Sequence, residues 1–159
     1  MNTVHRPADK KTRGVTFAEL IVALAVFAIL AAGVTAIPAE RRRLTAAARQ
    51  IQDDIRLCQR LAMAENKRVR VIFYETEYAY ILEKWESGKF ERIKREDLHQ
   101  SVVYLFTNAS GKKIEFTPRG TTGDACAINL KTNNFAVSLT VNVGSGRVKI
   151  FEITKNPGR

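Results

Sequence analysis

One carboxylate, Glu19, stands near the start of a run that is otherwise apolar: "GVTFAELIVALAVFAIL", from Gly14 to Leu30. A carboxylate at membrane depth is costly and calls for a cationic partner. No Lys or Arg lies between Val15 and Ala39 to provide one. A free amino group at Val15 would. Two other readings use the same residues. Thr16-Phe17-Ala18-Glu19 has the T-x-x-E form of a helix capping box, and a carboxylate there also suits the positive end of a helix dipole. A secretory signal peptide would begin with the basic stretch Arg6, Lys10, Lys11, Arg13. It would not run on so long, nor be followed by Glu40-Arg41-Arg42-Arg43 where a small-residue cleavage site belongs.

Other reactive side chains are few. His5 precedes Gly14 and His99 stands alone near Asp97, which speaks against a His-based triad or a histidine-rich metal site. No Walker loop, nucleophile elbow, HExxH or EF-hand pattern occurs. The chain is expected not to be an enzyme and to need no cofactor or metal. Cys58 and Cys126 are not spaced as a zinc or CxxC site. They could form a disulfide if the compartment is oxidising, or serve as small buried apolar residues.

The elements that must position these residues follow from periodicity. Leu20 to Ile37 is eighteen residues without a charge, about 27 Å as a helix, close to the hydrocarbon thickness of a bilayer. Leu44, Ala48, Ile51, Ile55, Cys58 and Ala62 then recur at steps of four and three, one stripe of an amphipathic helix over 41–65. Pro38 between the two helices predicts a kink. From Arg68 onward the period becomes strand-like. Eight candidate strands are expected at 68–74, 78–85, 90–94, 102–106, 114–117, 125–130, 135–143 and 147–153. Short turns such as Ser87-Gly88, Ser110-Gly111 and Gly144-Ser145-Gly146 favour antiparallel pairing.

Here the residues reach a family. "KTRGVTFAELIVALAVFAILAAG" resembles the N-terminus of type IV prepilins and pseudopilins: a basic leader, a glycine at the cut, then an apolar helix with Glu at its fifth position. "IEFTPRGTTGDACAINL" followed by "VSLTVNVGSGRVKI" resembles the C-terminal half of the GspH/FimT-type minor pseudopilins. Val15 departs from the usual Phe, and Ala18 from a larger apolar residue.

The resemblance implies an α+β, pilin-like fold, with a long N-terminal helix packed on an antiparallel β-rich head. It divides the chain into a leader at 1–14, a transmembrane or filament-core helix at 15–38, an amphipathic helix at 39–66 and a head at 67–159. It also implies cleavage between Gly14 and Val15 by a prepilin peptidase, N-methylation of Val15, and a role for Glu19 in filament assembly. The expected partners are other pilins, the peptidase and membrane lipid. The expected location is the cell membrane, crossed once with the leader in the cytoplasm, and afterwards the filament of a type II secretion system or a type IV pilus.

Two further readings stand beside it. The net charge of +10 suits an anionic partner, though it is also ordinary solubilising charge. "GRVK" at 146–149 resembles a Gly-Arg-x-Arg element associated with DNA binding in the FimT branch, with Arg147 and Lys149 as the cations, and this would make the chain a DNA-binding minor pilin of a DNA-uptake system. The other reading is a membrane-anchored domain unrelated to filaments.

Overall fold

The computed structural model describes residues 16–34, 38–123 and 125–155. Two compact units result, Met1–Ile37 and Pro38–Arg159. The first contains helix α1, Phe17–Val34, apolar on every side. Its described side chains from Phe17 to Leu30 are open to solvent, with Phe17, Leu20, Ile21, Val22, Leu24, Val26, Phe27, Ile29 and Leu30 all at least half exposed. A helix that is apolar all round normally lies buried in protein or lipid. Among the described residues no helix is long and apolar enough to cross a membrane. The uncharged part of α1, residues 20–34, rises about 22 Å, and the rest of the run at 35–37 lies outside the described residues.

The second unit opens with helix α2, Ala39–Glu65. Every residue of the stripe read from sequence is fully buried, from Leu44 to Ala62. The helix stops at Asn66, which adopts the left-handed conformation (φ 53°, ψ 40°) while its N–H bonds back to the Ala62 carbonyl. Asn accepts that conformation more readily than most residues, so the chain turns directly into the first strand.

Eight strands follow: β1 (Val69–Tyr74), β2 (Ala79–Glu86), β3 (Lys89–Asp97), β4 (Tyr104–Thr107), β5 (Lys113–Phe116), β6 (Cys126–Lys131), β7 (Phe135–Val141) and β8 (Val148–Lys155). They form two antiparallel four-stranded sheets, β3-β2-β1-β5 and β4-β6-β7-β8, with α2 packed against strands of both. Side-chain alternation explains the layering. In β1 and β6 every second residue is buried, so one face of each sheet meets the core around α2 and the other faces water. Ser87 and Gly88, both at positive φ, close the β2–β3 hairpin as the sequence suggested.

Candidate functional site

At the start of α1, Thr16 and Glu19 form the capping box. The Thr16 backbone N–H donates to Glu19 Oε2 at 2.9 Å, the Thr16 hydroxyl approaches the same oxygen at 3.2 Å, and the Glu19 N–H donates to Thr16 Oγ1 at 3.3 Å. The carboxylate therefore closes the helix end and points back toward the chain that precedes it. Gly14 and Val15, the cleavage and methylation positions, lie outside the described residues.

At the other end of the sequence, Lys149 is exposed on β8 and Val148 beside it is buried, the alternation expected. Arg147 is also exposed but precedes the strand, which begins at Val148. Its carbonyl closes the hairpin turn instead, accepting from the Asn142 N–H at 3.1 Å.

The turn is tied to α2 and to the segment at Thr122. Gln59 of α2 donates through Nε2 to the carbonyls of Ser145 (2.8 Å) and Gly120 (2.7 Å), and the Gly144 N–H donates to the Thr122 carbonyl at 3.0 Å. A Cβ at Gly146 would sit 2.6 Å from Phe116 Cε1, and one at Gly120 would sit 2.6 Å from Met63 Sδ. Gly146 is required by the buried Phe116 ring as well as by its positive φ, whereas at Gly120 the half-exposed Met63 side chain can move aside and the positive φ is the constraint. Sequence reasoning missed Gln59, which sits just beside the apolar stripe and carries no signal of its own.

Cys58 and Cys126 are both buried. Cys58 faces the electrostatic field of Asp54 and Lys94 on the β2–β3 side, whereas Cys126 begins β6 in the other sheet. Burial, followed by the Asp54 charge, pushes the Cys58 thiol up to about 12.

Asp54 itself was overlooked in sequence, although it lies three residues after Ile51 and four before Cys58 and so belongs to the stripe. It is buried, accepts the Tyr80 hydroxyl at 2.6 Å and meets Lys94 Nζ at 3.1 Å. Burial first, then the bond to Asp54, holds the Tyr80 phenol well above its ordinary value. Lys94 also reaches Glu96 at 2.9 Å. Every member of this network has a partner, so it pins α2 to the sheet and offers no open reactive group. No group of His, Cys, Asp and Glu among the described residues could hold a metal ion.

Residues 9–35 match the family described as the prokaryotic N-terminal methylation motif. The fold is similar to that of the type IV minor pilin FimU of Pseudomonas aeruginosa (TM-score 0.57, 13% identity, 74% of this chain and 91% of that one). It is also similar to the minor pseudopilin EpsH from the type 2 secretion system of Vibrio cholerae (TM-score 0.58, 8% identity, 69% of this chain and 96% of that one). The chain carries the prokaryotic N-terminal methylation motif and has a pilin-like fold. Motif and fold point the same way from opposite ends of the sequence. No curated protein sequence matches the chain.

Proposed function

We propose that this pilin-like chain is a minor subunit of the GspH/FimT type, made as a prepilin and assembled into a type II secretion pseudopilus or a type IV pilus. A prepilin peptidase cuts between Gly14 and Val15 and Val15 is N-methylated. Residues 15–38 hold the subunit in the cell membrane before assembly, with the leader on the cytoplasmic side and the head outside. The observation that carries this reading is the methylation motif over 9–35 on a chain whose head has the minor-pilin fold. The apolar, open surface of α1 supports it, because such a helix needs lipid or neighbouring helices around it.

Glu19 then has two successive partners. In the uncut chain it closes the capping box with Thr16. After cleavage the new amine on Val15 lies one residue from Thr16, and in a filament Glu19 compensates such an amine where lone charges are poorly solvated. Glu19→Val is expected to reach the membrane normally and to be lost from the sheared filament fraction. Incorporation equal to the native chain would reduce Glu19 to its capping role.

A second reading, a DNA-binding minor pilin, is favoured by one observation. Arg147 and Lys149 are both exposed, and among the described residues neither makes an ion pair. Replacing both by Ala is expected to lower duplex affinity and to flatten its salt dependence by about two phosphate contacts. An unchanged slope would remove these residues from any DNA contact.

A further inference from the structure

The two sheets treat their solvent faces differently. On β3-β2-β1-β5 two outward cations are paired within the sheet: Arg70 meets Glu83 at 2.7 Å and Arg68 meets Glu115 at 3.4 Å. Two aromatic rings there lie under guanidinium groups, with Arg70 3.6 Å from the centre of Phe90 and Arg68 4.5 Å from Trp85.

On β4-β6-β7-β8 the register builds a different surface. One row across the sheet reads Phe106, Asn129, Ser138, Phe151, an exposed aromatic ring at each rim and hydrogen-bonding side chains between them. The rims are three strand spacings apart, about 14 Å. The adjacent row on one side begins with Tyr104 and Lys131, and that on the other ends with Thr140 and Lys149. Among the described side chains, none of the outward positions of this sheet is acidic, and neither Lys131 nor Lys149 has an ion-pair partner. Lys131 Nζ lies 4.9 Å from the centre of the Tyr104 ring, and Lys112 Nζ, neutralised by Glu75 at 2.9 Å, lies 4.5 Å from that of Phe106.

The aromatic pair gives the face its preference. Tyr104 and Phe106 stand on the same side of β4, 6.3 Å between ring centres and 24° from parallel. Bases along a nucleic-acid strand rise by about 3.4 Å, so this spacing is close to the two intervals needed to admit one planar ring between two others. A four-stranded sheet presenting aromatic rings, amide and hydroxyl groups and cations without ion-pair partners has what a splayed strand requires: stacking for the bases, donors and acceptors for their edges, and positive charge for the phosphates. A duplex keeps its bases stacked on each other and cannot use the rings.

We propose that the open face of the β4-β6-β7-β8 sheet binds single-stranded nucleic acid, with a base stacked at Tyr104 and Phe106 and phosphates held by Lys131 and Lys149. This rests on the reading above that the head meets DNA, and it deepens that reading by giving the contact a surface and a strand preference. The rings supply affinity that does not depend on salt, while the lysines supply the part that does.

The test uses the full chain purified in detergent and fluorescence anisotropy of labelled oligothymidylate and of a random-sequence duplex at two salt concentrations. The native chain is expected to bind the single strand more tightly than the duplex. Tyr104→Leu with Phe106→Leu keeps apolar bulk and is expected to lose about tenfold in single-strand affinity, the equivalent of one stacked base, with duplex binding and the salt slope unchanged. Phe151→Leu, at a half-exposed position on the opposite rim, is expected to lose several-fold and gives the same decision should the double variant melt early. Single-strand affinity unchanged in a folded variant, or duplex bound as tightly as single strand by the native chain, overturns the stacking face and leaves the Arg147 and Lys149 reading standing. Binding of neither probe at low salt overturns both.

Discussion

Gly146 and Gly120 stand at turns of the head that other residues adopt poorly. Each combines a positive φ, 60° and 73°, with a neighbour so close that a Cβ would overlap it. Gly88 has φ 88° but open space around it. Gly146→Ala is therefore expected to destabilise the chain by about 2–4 kcal/mol, and Gly88→Ala by about 1 kcal/mol, the cost of backbone strain alone. Urea midpoints for the two variants check the ranking, and equal shifts would contradict the packing argument. Glu40 offers a test of sign at the same scale. Its carboxylate is held below the ordinary 4.5 chiefly by the Asn134 side-chain amide, at 2.7 Å. A depressed folded value means that the contribution is present above 4.5 and is lost as pH falls through that lower value. Glu40→Gln is accordingly expected to narrow the stability difference between pH 6 and pH 3, measured by thermal melts at both. The contact is exposed, and the narrowing should be small.

Among the elements, α2 shows how far the sequence could be read. Its stripe was legible because burial on one side of a helix imposes a 3.6-residue period, and all six stripe residues are buried as that period requires. Asp54 was not legible, since a charged residue at a stripe position reads as an interruption until its partners on β2 and β3 are seen. The eight strands were recognisable from β-branched and aromatic residues, but their division into two sheets was not. Nothing in the short segments around β4 says that it leaves β1–β3 to pair with β6 while β5 returns to β1. Pairing of that kind is decided by which faces the helix covers. At the site, the capping box was legible in the T-x-x-E spacing of Thr16 and Glu19, whereas the pinning of the last turn by Gln59 depends on contacts 86 residues apart in sequence. Asp54→Ala is expected to cost about 2–3 kcal/mol, because it strands the buried Tyr80 hydroxyl while Lys94 keeps Glu96 and its access to water. Tyr80→Phe should cost less, about 1 kcal/mol. Denaturant unfolding of both variants measures the difference. Cys58, raised to about 12, is expected to resist alkylation at pH 8 in the native chain and to react once urea unfolds it.

The whole molecule joins an apolar helix with no covering of its own to a head whose core is complete. On the function proposed above, such a helix is covered first by lipid and then by neighbouring subunits, and the chain passes from one to the other. The central claim is that this passage begins with a cut after Gly14. The intact mass and N-terminal peptide of the chain recovered from its native membranes test it most directly. The expected result is a mature species beginning at Val15 and carrying one methyl group, with the uncut form accumulating in Gly14→Ala. A chain that retains its basic leader, or a native N-terminus anywhere other than Val15, would contradict it.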